Sequence, residues 1–60
     1  MRAIGQREWI RCELLGVAAR QVGRPGKPPP NLRGQQAEAW MTGWESEDEK
    51  IKAKQRKVAA

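Results

Sequence analysis

The stretch that decides the fold is Ala37–Glu45, AEAWMTGWE, in which Trp40 and Trp44 stand four residues apart. At 3.6 residues per turn, this spacing places both indoles on one face of a helix. That predicted face consists of Ala37, Trp40, Met41, Trp44 and Ile51. The chain has three Trp and no Phe, Tyr or His. In so polar a chain this face is either the core or a docking surface, and Trp residues at helical spacing favour the core.

The length of 60 residues fits one small domain, 1–60. Below about 70–80 residues, a core rarely supplies more than about 3–5 kcal/mol unless disulfides, a metal or a partner adds to it. Cys12 is the only cysteine and there is no His, so the chain alone forms neither an internal disulfide nor a usual zinc site. We therefore expect no metal and no cofactor, and a fold that depends on close helix packing or on a partner.

Helix one is predicted over about residues 6–22, with Gly23 as the C′ residue and Pro25 two positions later. Its apolar residues follow helical spacing and form a stripe: Ile10, Leu14, Val17, Ala18 and Val22. Trp9 lies off this stripe, on the opposite face with Glu13, Gly16 and Arg20. It is therefore predicted to be an exposed stacking or contact residue.

The linker is predicted over about residues 23–33, since the run Pro28–Pro30 favours an extended chain and excludes a helix. Asn31 is the predicted N-cap of helix two, which covers about residues 34–56. Pairs of opposite charge support both helices: Glu8–Arg11, Glu47–Lys50 and Glu49–Lys52 at i,i+3, and Asp48–Lys52 at i,i+4. The predicted fold class is all-α, with two helices joined by a Pro/Gly-rich linker in a helical hairpin-like arrangement.

Gly43 lies inside helix two, where glycine costs roughly 1 kcal/mol compared with alanine. Something should compensate for that cost. Close approach of the opposing helix, or of a ligand, would do so.

Charge is distributed in blocks, although the net charge is only +5. Residues 1–34 hold seven basic and two acidic residues, residues 35–49 hold five acidic and none basic, and residues 50–60 hold five basic and none acidic. Such blocks suit binding to a polyanion at both ends. Six of the seven cations in the first block are Arg, which matches phosphate and stacks on flat rings. The predicted RNA-binding residues are Arg7, Trp9, Arg11, Arg20, Arg24, Lys27 and Arg33.

Catalysis has little support in the residue types. There is no His to act as a base near neutrality, and Ser46 is surrounded by carboxylates. Residues 23–27, GRPGK, are superficially similar to a phosphate-binding loop, but the spacing GxxxxGK[ST] is missing and three prolines follow. No apolar run approaches the ~20 residues of a membrane span, and a lone thiol fits a reducing compartment. We expect a cytoplasmic protein with no membrane partner and no small-molecule substrate.

Read together, Ala19-x-x-x-Gly23-Arg24, Pro30 and Trp40-x-x-Gly43-Trp44 resemble the ribosome modulation factor family of small bacterial proteins. The resemblance covers about residues 16–45. The positions that carry it are Gly23, Arg24, Pro30, Trp40, Gly43 and Trp44. The chain departs from the family pattern at Arg20, often Gly, and at Asn31, usually Tyr, and its N-terminal part is less densely basic.

The resemblance implies a non-catalytic two-helix protein that binds the rRNA of the small ribosomal subunit. Members of the family favour inactive ribosome dimers when growth slows, as part of a stress response. Two alternatives stay open. One is a protein-interaction module, such as a phage- or plasmid-encoded inhibitor. Such a module would dock on a partner through the face of helix two that carries Trp40 and Trp44 (the Trp face), or would self-associate as a homodimer. The other is a small antibiotic-modifying, ATP-dependent enzyme, an activity proposed for one small relative.

Overall fold

The computed structural model describes residues 4–59, with side chains for residues 4–56. This part of the chain forms two helices, α1 (Gln6–Gln21) and α2 (Gln35–Ala59), and none of it is strand. The predicted all-α, two-helix, hairpin-like fold class is confirmed. The sequence predicted helix one over about residues 6–22 and helix two over about residues 34–56. The observed helices differ from these ranges by at most three residues at their ends.

The arrangement is hairpin-like in that α1 and α2 pack side by side, but the two helices run in the same direction rather than antiparallel. Near their N-terminal ends, Gln36 Nε2 donates to Glu8 Oε1 at 3.1 Å, and near the C-terminal end of α1, Arg20 Nε donates to Asp48 Oδ1 at 2.7 Å. Both pairs are separated by 28 residues in sequence. In a parallel pair of helices, the sequence separation between contacting residues stays constant along the pair. In an antiparallel pair, that sequence separation changes steadily from one end to the other. The segment between the helices, residues 22–34, is called the connection. It must therefore return along the whole length of α1, about 24 Å for 16 residues at 1.5 Å per residue.

The closest contact between the helices is made by two glycines. A Cβ added to Gly16 would collide with the carbonyl oxygen of Trp40, and one added to Gly43 would collide with the carbonyl oxygen of Glu13. Each glycine thus lets the backbone of the other helix lie directly against its own. The prediction that close approach of the opposing helix compensates for Gly43 is confirmed.

The core consists of small residues around one large indole. Cys12, Gly16 and Ala19 are buried on α1, and Ala39, Trp40 and Gly43 are buried on α2. Trp40 is only 3 % exposed, so it belongs to the core. Of the predicted face of helix two, Ala37, Met41, Trp44 and Ile51 are half-buried.

The apolar stripe predicted for α1 does not face α2. Ile10, Leu14, Ala18 and Val22 are exposed, and Val17 is half-buried. Trp9 belongs to the opposite face, which is the one that packs on α2, and it is half-buried rather than exposed as predicted. The physical reason is the close helix approach, which selects small side chains at the contact and leaves the longer aliphatic ones outside.

Helix α1 ends in a Schellman motif. Gly23 N–H donates to the carbonyl of Arg20, and Arg24 N–H donates to the carbonyl of Ala19. Gly23 has a φ of 81°, a conformation that glycine adopts without steric cost. The prediction of Gly23 as the C′ residue is confirmed.

Helix α2 begins later than the predicted N-cap allows. Gly34, with a φ of 57°, immediately precedes the helix, and its carbonyl accepts the N–H of Glu38. Asn31 is therefore not the N-cap, because three residues separate it from the first helical residue, Gln35. The left-handed conformation of Gly34 turns the chain into α2. This backbone turn takes the place of the side-chain cap that was predicted at Asn31.

Trp44 attaches the connection to the helices. Its Nε1–H donates to the carbonyl of Arg24 at 3.0 Å. The ring lies against Gly26, where an added Cβ would be 3.2 Å from ring carbons. One indole thus holds the first half of the return path in place.

Helix α2 extends beyond the end of α1. The last residue of α1, Gln21, donates to Glu47 at 3.2 Å, so most of the part of α2 after Asp48 has no α1 beside it. Asp48 and Lys52 form the predicted i,i+4 ion pair at 3.0 Å, and Glu8 and Arg11 form theirs at 3.8 Å. The molecule is elongated, 47 × 20 × 14 Å.

Candidate nucleic-acid interface

Five of the six cations predicted to bind RNA are exposed: Arg7, Arg11, Arg24, Lys27 and Arg33. They form two groups. Arg7 and Arg11 lie one turn apart near the beginning of α1, on the side that faces away from α2. Arg24, Lys27 and Arg33 lie along the connection. Both groups present positive charge at the surface, and Arg11 also forms the exposed ion pair with Glu8 at 3.8 Å.

Arg20 differs from the other predicted cations because it is engaged inside the molecule. Its guanidinium donates to Asp48 and lies over the ring of Trp44, with its central carbon 5.7 Å from the ring centroid. Its side chain is 24 % exposed and that of Asp48 is 13 % exposed. This arrangement makes Arg20 a bridge between α1 and α2, and only the remaining edge of its guanidinium is available to a ligand.

Asp48 stays ionised under this arrangement. The hydrogen bond from Arg20, and next that from Lys52, lower the pKa of Asp48 below its ordinary value. Its charge is therefore balanced within the molecule. The acidic block contributes less exposed negative charge than its composition indicates.

A third group of cations lies on the projecting part of α2. Lys50, Lys52, Lys54 and Arg56 are all exposed. The sequence shows them as a basic block, but they were not among the predicted site residues. The signal that could have identified them is the basic block itself, which begins at Lys50 and contains no acidic residue.

Exposed acidic residues occupy a separate surface. Glu38, Glu45 and Glu49 are exposed on the side of α2 that faces away from α1. Their separations of seven and four residues, about two turns and one turn of helix, place the three on one face. The exposed cations of α1 and the connection are therefore separate from this acidic face, whereas Lys52 and Arg56 follow the carboxylates on the same face of α2. A polyanion can bind α1 and the connection without meeting the acidic face.

A groove lies between α1 and the connection. It has a volume of about 550 Å³. Its apolar lining includes Leu15, Ala18 and Val22 from α1, Pro29 and Pro30 from the connection, and Trp40 below. Polar side chains line it at Arg24, Lys27 and Asn31. The sequence did not predict this groove, because it exists only where the connection folds back along α1.

Nucleophilic and metal chemistry find little basis in the described residues. Cys12 is 2 % exposed, and burial raises the pKa of its thiol, with a further increase from the charge of Glu8. Across residues 4–59 the structure groups no three His, Cys, Asp or Glu side chains that could hold a metal ion. Neither helix of that part is long and apolar enough to cross a bilayer.

The six positions that carry the family resemblance have structural explanations of their own. Gly23 forms the C-terminal turn of α1, Trp40 fills the core and Gly43 permits the helix contact. Trp44 binds the carbonyl of Arg24, and Pro30 lines the groove. Comparison of the chain with protein-family models, with curated proteins and with solved structures finds no match.

Proposed function

We propose that this protein is a non-catalytic RNA-binding protein of the cytoplasm that binds rRNA of the small ribosomal subunit. By binding there it would reduce translation or promote inactive ribosome dimers. The observation that supports RNA binding most directly is the segregation of charge. The exposed cations of α1 and the connection lie apart from the exposed carboxylates, which are on the side of α2 that faces away from α1.

Phosphate neutralisation would supply most of the affinity. Each phosphate contact made by Arg or Lys releases a counterion, so log K should fall linearly with log[salt], with a slope of about −0.7 to −0.9 per contact. If half of the nine exposed cations among residues 4–56 bind phosphates, the slope would be about −3 to −4. The connection is well placed for this role, because Trp44 fixes its backbone beside the helices.

Sedimentation with ribosomes tests the proposal. Purified protein is added to bacterial ribosomes and separated on a sucrose gradient at low and at high salt. The expected result is migration with small subunits or ribosome dimers at low salt and release at high salt. Migration at the top of the gradient at low salt would contradict the proposal.

A matched pair of variants separates local contacts from net charge. Arg24→Gln with Lys27→Gln removes two exposed positive charges from the connection, and Thr42→Glu with Ser46→Glu adds two negative charges to the exposed acidic side of α2. Both variants lower the net charge by two. We expect the first to weaken binding at least tenfold and the second to change it far less.

A second candidate function is a protein-interaction module, and the exposed large apolar side chains of α1 favour it. Ile10, Leu14, Leu15 and Val22 are 45–72 % exposed. Sedimentation equilibrium distinguishes the forms of this alternative. A homodimer that the Leu14→Asp substitution dissociates would support self-association through α1. A monomer that does not bind ribosomes but binds a protein target would support an inhibitor.

The proposal includes no catalytic step. ATP turnover by the pure protein, abolished by Lys27→Ala, would instead favour the ATP-dependent enzyme. The measurement is phosphate release from ATP, with the Arg33→Ala variant as a control for general loss of positive charge.

A further inference from the structure

We propose that the groove between α1 and the connection binds one unpaired nucleotide of a single-stranded RNA, with the base between the apolar walls and the phosphate on Arg24 and Lys27. This site rests on the proposed RNA-binding function and adds a contact with a base to it. The cationic surfaces alone would accept any polyanion. The groove would give the protein a preference for unpaired RNA over a double helix.

The walls of the groove supply surfaces for a flat ring. Leu15 and Val22 on α1 are 50 % and 72 % exposed, so a ligand between them and Pro29 would remove aliphatic surface from water. The volume of about 550 Å³ lies within the range of roughly 300–1,000 Å³ typical of small-molecule sites. A base that is paired and stacked in a helix could not enter it.

The polar groups are arranged in the order that a nucleotide requires. Arg24 and Lys27 follow directly after the end of α1, and Asn31 lies four residues further along the connection, toward the beginning of α2. Asn31 lies in a turn of the connection, in which Leu32 N–H donates to the carbonyl of Pro29 at 3.0 Å. The groove thus combines two cations with an amide, on the turn further along the connection, that can both donate to and accept from a base edge.

The charge of the lining favours an anionic ligand. Among the described residues that line the groove, the charged ones are Arg24 and Lys27, and none is acidic. An acidic peptide would also meet these cations, but its side chains are not flat and would not need the amide of Asn31. Arg33, exposed a few residues further along the connection, extends the positive charge in the direction that a neighbouring phosphate would take.

Fluorescence anisotropy with matched nucleic acids tests the site. The probes are a labelled 12-nucleotide oligoadenylate, a strand of the same length and charge whose sugars are abasic, and a 12-base-pair duplex RNA. Contact of a base with the aliphatic walls removes apolar surface from water, so oligoadenylate should bind at least severalfold more tightly than the abasic strand. The dependence of log K on log[salt] should be the same for both single strands, because their phosphates are equal in number.

Ala18→Trp fills the groove without changing the charge, since Ala18 is exposed and lines it. Its matched control is Ser46→Trp, which adds the same ring to an exposed position on α2 away from the groove. We expect Ala18→Trp to lower the affinity for oligoadenylate to that of the abasic strand and Ser46→Trp to change neither. Circular dichroism verifies that both variants remain helical, and Asn31→Ala provides a second variant outside the helices.

The outcomes separate this inference from the function on which it rests. Equal affinities for oligoadenylate and the abasic strand, or an unchanged preference in Ala18→Trp and Asn31→Ala, would overturn the groove site and leave RNA binding standing. Failure to bind any of the probes at low salt would overturn both.

Discussion

Gly16 of α1 lies so close to the carbonyl of Trp40 on α2 that no methyl group fits between them. Gly43 has the same relationship with the carbonyl of Glu13. The two contacts are reciprocal, since each helix contributes one glycine and one carbonyl. They set the distance between the helices, and the burial of Trp40 depends on that distance.

We predict that Gly16→Ala and Gly43→Ala each destabilise the fold severely. Forcing an extra methyl group into a close contact costs typically about 1–3 kcal/mol, and a domain of this size has only a few kcal/mol to lose. The measurement is urea unfolding followed by circular dichroism. Gly5→Ala is the control, because a Cβ there meets open space, and it should cost less than about 1 kcal/mol. Wild-type stability in Gly16→Ala would contradict the described helix contact.

Trp44→Phe should loosen the connection while the helices persist. The change keeps an aromatic ring but removes the N–H that donates to Arg24, a loss of about 0.5–1.5 kcal/mol. Limited trypsin digestion measures the effect at Arg33, because Arg24 and Lys27 precede prolines and are poor cleavage sites. Cleavage after Arg33 should be faster in the variant, whereas the wild-type rate would show that the indole hydrogen bond does not restrain the connection.

Arg20 and Arg24 should respond differently to the same substitution. Arg20→Gln leaves Asp48 without its cation from α1 and removes the group above Trp44, so it should lower Tm. Arg24→Gln changes an exposed side chain and should leave Tm almost unchanged while it weakens RNA binding. Thermal unfolding and fluorescence anisotropy measured on both variants provide the test. Equal effects on Tm would show that the bridge from Arg20 to Asp48 contributes little.

Asp48 should make stability depend on pH below its ordinary pKa. Its pKa is lowered in the folded state by Arg20 and Lys52, so the unfolded chain takes up the proton first as pH falls. The contribution is therefore complete above about pH 4–5 and is lost as pH falls through the lower, folded pKa. The difference in unfolding free energy between the wild type and Asp48→Asn should be constant near neutrality and shrink at acidic pH. A difference that grows on acidification would contradict the lowered pKa.

Local signals in the sequence were sufficient for much of the fold. Helical periodicity identified both helices, and the Gly23–Pro25 pattern identified the end of α1, because such features depend on neighbouring residues alone. Trp40 was correctly favoured as core. The ion pair of Asp48 and Lys52 followed from spacing in one helix.

The buried face of α1 could not be predicted in the same way. Hydrophobic periodicity selects long aliphatic residues such as Leu14, whereas a close helix contact selects small ones such as Gly16, which carry little hydrophobic signal. Trp9 was misplaced for the same reason. Arg20 could not be distinguished from the exposed cations, because its partner Asp48 is 28 residues away.

The common direction of α1 and α2 has an electrostatic consequence. Each helix carries roughly half a positive elementary charge at its N-terminus and half a negative one at its C-terminus, so in a parallel pair these macrodipoles add, whereas in an antiparallel pair they cancel. Two positive helix ends therefore lie together beside Arg7 and Arg33, while lysines offset the negative end of the longer helix. The N-terminal end of the molecule therefore adds the partial charges of two helix termini to the full charges of its arginines, while the opposite end attracts anions through its basic side chains alone.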